Sequence, residues 1–470
     1  MQDFKLLING NLVPGESNLA VIDPSTEQII TNAPHASLAQ LNEAVDAAAA
    51  SFPTWKKTPF KERQALVGKI ADTVEKHAEE IGALLTREQG KPIADATMEV
   101  YGFSAFCRYF TTLEEPYEVL EDSDGRRVEA HQYPLGVVGA MVPWNFPIML
   151  LAFKLAPALI AGNTLVIKPA STTPLSTLKI GELIADILPA GTINIVTDNM
   201  ELGAPMTAHP KIAKISFTGS TATGAKVMAG AAETLKRITL ELGGNDAAIV
   251  TPSTDLKSAL PGIFGIAFHN AGQICVAIKR LYVHASIYDQ VCNELAAMAN
   301  STVVASGFTE NVGMGPIQNA TQYNKVSQLI ETSKSHGTLI AGGDSLTGPG
   351  FFIRPTLFRD IKSGAPLVDE EQFGPVLPII KYEDNDQLIA EINSSIYGLG
   401  ASVWGSDSAE CYAIANEIEA GTVWVNKHGE LDPAFPFSGA KQSGIGSELG
   451  KSGLLEFSQT KIINIAKASA

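Results

Sequence analysis

Five short, largely apolar runs constrain this chain more than any other feature. They are "LGVVGAMVP" (135–143), "NTLVIKP" (163–169), "TINIVT" (192–197), "IAKISFTG" (212–219) and "ITLELGG" (238–244). Stretches that suit helices separate them, at 148–162, 174–188, 200–208 and 221–235. Short strands this rich in Val, Ile and Leu and alternating with helices read as buried on both faces, which calls for a parallel sheet covered by helices on each side. The expected class is α/β, with a Rossmann-like nucleotide-binding domain. No G-x-G-x-x-G follows the first run, so any phosphate cradle must be built another way.

A second α/β region is expected from about 245 to 430. It alternates again, with a helix at "SALPGIFGIAFHN", a strand at "RLYVHA", a helix near 288–299 and strands at "FFIRPTLF" and "GPVLPIIKY". Near the N-terminus, Ser37 and Gln40 form an S-x-x-Q capping box before an alanine-rich run. Thr58 and Pro59 mark a further helix start, after which Leu66, Ile70 and Val74 recur on one face. Residues 117–134 read as a hairpin turning at "DSDG", and "LLEFSQTKIINI" (454–465) reads as a strand. Bare strand edges outside the compact regions are commonly covered by another copy, so a homodimer or homotetramer is expected. A length of 470 residues suits two or three domains. The expected division is 1–116 with 135–244 for cofactor binding, 245–430 for catalysis, and 117–134 with 454–470 as an oligomerisation arm.

The formal net charge of −16 argues against nucleic-acid or anionic-membrane partners. No apolar run reaches membrane-spanning length, and "MQDFKLLING" lacks the layout of a signal peptide. Cys107, Cys275, Cys292 and Cys411 lie far apart without zinc spacing. No metal site is expected, and the cysteines read as reduced thiols of a cytoplasmic protein.

Cys275 closes "NAGQIC", Glu241 sits at the end of a strand just before a glycine pair, and Asn145 occupies a Pro-flanked turn after another strand. Each alone has a plain explanation: a buried filler, a solvated carboxylate, a turn-forming Asn. Together with their surroundings they say more. Over "PWNFP" (143–147), "KPA" (168–170), "FTGSTATG" (217–224), "LELGGN" (240–245), "NAGQIC" (270–275), "EEQFGPV" (370–376) and "PFSGAKQSGIGSELG" (436–450), the chain resembles the aldehyde dehydrogenase superfamily.

That resemblance implies oxidation of an aldehyde to the carboxylic acid with NAD or NADP. Cys275 matches the nucleophile, which forms a thiohemiacetal and then a thioester. Glu241 matches the general base for the hydrolytic water. Asn145 matches the side-chain donor of the oxyanion hole, which acts with the Cys275 N–H and is worth about 3 kcal/mol. Trp144 and Lys168 match contacts to the adenosine half, while Glu371 and Phe373 match those to the nicotinamide ribose and ring. "GSTATG", with Gly219, Ser220 and Thr223, opens a helix whose N-terminus suits the pyrophosphate. Phe146, Leu150, Phe153, Ile274, Val276, Leu431 and Phe437 match the substrate pocket and are all apolar, which suits a neutral aldehyde. His269 and Arg280 are near Cys275 in sequence, and the sequence does not place them in the pocket.

Two positions depart from the pattern. Ser171 stands where members using NAD carry a glutamate that repels a 2′-phosphate, so use of NADP is expected, with Lys168 as counter-charge. "VTDNMELG" (196–203) replaces a Thr-Gly-x-Gly turn but keeps Gly203. Asp198 and Asn199 are expected to take the left-handed backbone there, and Asp198 could oppose a 2′-phosphate. The alternatives are a CoA-acylating relative, disfavoured by the presence of Glu241, and a silent binding protein on the same fold.

Overall fold

The computed structural model describes residues 3–467. All five apolar runs become neighbouring strands of one eight-stranded sheet. Ile193–Ile195, Thr164–Lys168, Val137–Met141, Ile212–Thr218 and Arg237–Glu241 lie side by side in that order, all parallel. Antiparallel pieces close both edges, Leu6–Ile8 with Asn11–Val13 on one side and Gly444–Ile445 on the other. Val137–Met141, the first of these five in sequence, is central, so its parallel successors go to either side of it. A crevice opens at the carboxyl ends of the strands at such a switch point.

Helices follow where the sequence places their signals. Pro147 sits at the start of Pro147–Ala161, and Gly162 ends it at φ +99°. Ser37 and Gln40 make both bonds of the capping box ahead of Leu38–Trp55. The second sheet has seven strands, in the order Thr338–Ala341, Thr356–Arg359, Val376–Tyr382, Ile278–His284, Asp246–Val250, Gly400–Trp404 and Thr422–Val425. All are parallel except the first. Tyr117–Asp122, Arg126–Pro134 and Ser458–Ala466 form a separate three-stranded antiparallel sheet. No helix among the described residues is long and apolar enough to cross a membrane.

Three expectations change. The tail is not strand throughout: Leu454 and Leu455 finish the helix Gly450–Leu455, and the strand starts at Ser458. Leu454 and Phe457 are both buried, so the chain packs them inward with a helical turn before it extends. Residues 468–470 of the expected arm lie outside the described residues. "FFIRPTLF" yields only Thr356–Arg359, because Pro355 has no N–H to give a ladder. In "VTDNMELG" the left-handed residue is Met200 (φ +64°), not Asp198 or Asn199. The buried Asp198 carboxylate accepts from Leu202 N at 2.6 Å, which fixes the turn and leaves the strained position to a residue 79% exposed.

Candidate active site

The carboxyl ends of the first sheet and the amino ends of the second face one cavity of about 180 Å³. Trp144, Asn145, Gly219, Ser220, Cys275, Glu371 and Phe373 line it. Residues scattered over 230 positions of sequence therefore meet in one place.

The Cys275 loop shows what the residues before the cysteine do. Asn270, Ala271 and Gly272 are all left-handed, at φ +50°, +55° and +70°. Only glycine fits the third position, since a Cβ there would meet Gly374 O at 2.3 Å. Hydrogen bonds hold the loop against that strain. Gln89 Nε2 donates to Asn270 Oδ1 at 2.9 Å, and Asn270 Nδ2 donates to Asn145 O at 3.1 Å. The Gln273 amide donates to Asn270 O at 2.7 Å and accepts from Gln318 N at 2.9 Å. Cys275 emerges half-buried. Burial pushes its thiol up to about 12, with the Lys279 ammonium acting the other way.

Asn145 is held from both sides. Its Nδ2 donates to Gln273 O at 2.9 Å, leaving one N–H of that amide for a ligand. Its carbonyl accepts from Lys91 Nζ at 2.8 Å, and the same ammonium is 2.5 Å from Glu99 Oε2 in a buried pair. Glu99 Oε1 accepts from Ile148 N at 2.8 Å, so this pair fixes the turn and the helix after it together.

Glu241 is buried, its two oxygens have no hydrogen-bond partner, and its neighbours Leu242 and Gly243 line the cavity. Desolvation, reinforced by Glu448, raises its carboxyl well above the usual range, and Lys154 opposes this. Lys154 Nζ is 2.6 Å from Glu448 Oε1 and donates to Thr218 Oγ1 at 2.7 Å. A lone lysine in the apolar run "LLAFKLAPALIA" was a signal for such a pair, since a buried charge needs a partner.

On the cofactor side, Trp144 and Phe373 meet edge to face at 5.3 Å. Glu371 accepts from Gly244 N at 3.1 Å, and a Cβ on Gly243 would come within 2.2 Å of its Oε2, so the carboxylate lies in a space that glycine leaves open. Ser220 caps the helix Thr221–Ala232 by accepting from Thr223 N at 3.3 Å, so Thr223 serves the cap. The remaining first-turn N–H groups have no acceptor within the helix and suit a phosphate. Lys168 is not a free counter-charge: its Nζ is 2.5 Å from the buried Asp198 Oδ1. Ser171 lies half-buried in the turn beyond it, and Gly203 starts the helix Gly203–Ala208 with 4.0 Å between a built Cβ and Lys168 Cε. These residues fit a dinucleotide: aromatic faces, a carboxylate and a helix N-terminus in one groove.

Of the residues matched to the substrate pocket, Leu150 lines the cavity with Cys275, while Phe146, Phe153, Ile274, Val276, Leu431 and Phe437 belong to the large hydrophobic core against which Cys275 packs. His269 joins them, its ring 6.1 Å from that of Phe146 and its Nδ1 3.5 Å from Asp95. Arg280 does not, since its guanidinium donates to Asn245 O and Tyr282 Oη. Gln322 and Lys325 also line the cavity. They sit on a helix far along the chain from every motif, and nothing in the sequence marked them. Cys107, Cys292 and Cys411 are buried within helices.

Residues 12–463 match the model of the Aldehyde dehydrogenase family. The chain belongs to the aldehyde dehydrogenase family. It is 38% identical to phenylacetaldehyde dehydrogenase of Pseudomonas fluorescens, covering 98% of this chain and 96% of that protein. Among solved structures it is similar to a variant of Bacillus cereus aldehyde dehydrogenase, with TM-score 0.96 and 35% identity over 99% of this chain and 96% of that one. It is also similar to betaine aldehyde dehydrogenase of Staphylococcus aureus in complex with NAD+, with TM-score 0.95 and 30% identity over 98% and 94%. This aldehyde dehydrogenase is thus an oxidoreductase that acts on aldehydes with a nicotinamide cofactor, NAD(P).

Proposed function

We propose that the enzyme oxidises a neutral, apolar aldehyde to the free acid, with Cys275 as nucleophile, Asn145 as oxyanion donor and Glu241 as hydrolytic base. The observation that carries this reading is the meeting of Cys275, Asn145 and Glu371 in one cavity, which Leu150 and Leu242 also line. Similarity to a phenylacetaldehyde dehydrogenase agrees with an apolar substrate.

The Cys275 sulfur adds to the carbonyl carbon, and the oxygen that becomes negative is held by the free N–H of the Asn145 amide and by the Cys275 N–H. NAD(P), when bound, would supply the hydride acceptor, and Trp144, Ser220, Glu371 and Phe373 would hold it. Once Cys275 carries the thioester, Glu241 takes a proton from water, whose oxygen adds to the acyl carbon. Collapse breaks the C–S bond and returns the thiol and the acid. Burial suits Glu241 to this task, since a raised carboxyl is a stronger base once ionised.

Both NAD and NADP are accepted on this reading. Ser171 removes the carboxylate that repels a 2′-phosphate, while Asp198 neutralises the cation best placed to attract one. The eight-stranded sheet serves cofactor binding and the seven-stranded sheet catalysis. The three-stranded sheet is the oligomerisation arm of a homodimer or homotetramer, and its exposed Val119, Leu120, Ile462, Ile463 and Ile465 support that role. Four free cysteines suit a cytoplasmic location. The test is a panel of aldehydes with NAD and with NADP. Free acid formed without CoA supports the reading; a product that needs CoA, or no NAD(P)H at all, overturns it.

A further inference from the structure

Lys279 is a buried cation that the reaction just set out leaves without a task. It lies four residues after the nucleophile, in the strand Ile278–His284, and is 1% exposed. An ammonium in such a place costs several kcal/mol unless acceptors surround it. Its Nζ donates to the Cys275 carbonyl at 2.6 Å and is 3.2 Å from Glu371 Oε1. The Phe373 ring centre is 5.8 Å away, and the Lys279 carbonyl accepts from Gln372 Nε2 at 2.9 Å. One ammonium therefore touches the peptide of the nucleophile on one side and the cofactor-side carboxylate on the other. The other charged groups acting on the Cys275 thiol are Asp246, Glu241 and Glu371, and all three disfavour a thiolate. The His428 ring faces Asp246, with Nε2 at 3.5 Å from Oδ2 and 2.9 Å from Val276 O.

We infer that Lys279 is a positioning residue that makes the thiolate of Cys275 depend on the position of the Glu371 carboxylate. With Glu371 on Lys279, the ammonium is neutralised and the thiol stays protonated. With Glu371 drawn to the ribose hydroxyls of a bound dinucleotide, the positive charge is left to the Cys275 loop and favours the thiolate. The proposal rests on the roles given above to Cys275 and Glu371. Its chemical consequence is protection, because a thiolate formed before the cofactor arrives is the form open to oxidation and alkylation.

The test is the pH profile of Cys275 alkylation by iodoacetamide, followed by mass spectrometry on wild type, K279M, K279R and E371Q, with and without NAD. It needs no aldehyde. The midpoint of the profile, unlike its plateau rate, is insensitive to steric shielding by the dinucleotide. Wild type should show a midpoint about one unit lower with NAD than without, a tenfold rise in thiolate fraction below the midpoint. K279M should raise the midpoint and abolish the effect of NAD, and K279R should keep both near wild type. E371Q should lower the midpoint without NAD, the opposite sign to K279M. A purely structural role moves K279M and E371Q the same way, which would overturn the proposal, as would a folded K279M indistinguishable from wild type. If K279M does not fold, a midpoint for E371Q at or above that of wild type overturns it equally. Absence of acid from every aldehyde would instead refute the proposed function and leave the alkylation result standing.

Discussion

Replacing Asp198 by Asn removes one charge from a pair of which neither member is well hydrated. The Asp198 side chain is fully buried, the Lys168 side chain is 11% exposed, and 2.5 Å separates them. Loss of one partner of a fully buried pair costs 3–5 kcal/mol; Lys168 retains some water, so about 2 kcal/mol of stability should go, and the melting temperature should fall. The Asn oxygen can still accept from Leu202 N, so the turn should survive. The freed ammonium then becomes available to a 2′-phosphate. A charge-assisted hydrogen bond contributes about 1.5–3 kcal/mol when desolvated, and at this partly wetted site about 1.4 kcal/mol, or tenfold in kcat/KM for NADP, is expected. NAD, with no group there, should change little. Ser171→Glu should act oppositely and lower kcat/KM for NADP by about tenfold or more. The assay is kcat/KM for both cofactors with one aldehyde on wild type, the two single variants and the double variant. The reasoning fails if Asp198→Asn improves NAD as much as NADP, or if wild type rejects NADP and Asp198→Asn does not restore it.

Cys275→Ala should abolish aldehyde oxidation while NAD binding, measured by titration, persists; turnover within a few-fold of wild type would refute the role of Cys275. Glu241→Gln should release one NAD(P)H per site in rapid mixing and then turn over slowly, and loss of the burst itself would assign Glu241 an earlier step. Because burial raises the Glu241 carboxyl, the base form appears only as pH climbs well past the usual carboxylate range. Steady-state kcat in wild type should therefore rise across that window, and the rise should vanish in Glu241→Gln. Asn145→Ala should lower kcat about 100-fold, the loss of about 3 kcal/mol expected for one oxyanion donor, with the melting temperature checked separately because Asn145 also bonds Gln273. Light scattering at micromolar concentration should show a dimer or tetramer; a monomer would refute the role of the three-stranded sheet.

The layout of the first sheet was legible in the sequence because its five strands are short, largely apolar and separated by helices, a pattern that suits a covered parallel sheet. The proposed nucleophile, base and oxyanion donor could be picked out because each stands in a motif whose neighbours are themselves constrained. Gly272 must be glycine under Gly374 O, and Gly243 must be glycine for Glu371 to lie where it does. Other features depended on tertiary contact. The left-handed residue of the 196–203 turn moved to Met200 because a buried carboxylate elsewhere in that turn bonds Lys168 across 30 positions of sequence. Gln322 and Lys325 reach the cavity from a helix with no local signature, and Lys279 meets the Cys275 carbonyl with nothing in the sequence to mark it. Local sequence specifies backbone preference and which faces are apolar. The partner that neutralises a buried lysine is chosen by strand order and by the approach of two sheets, a long-range arrangement that no stretch of the chain contains by itself.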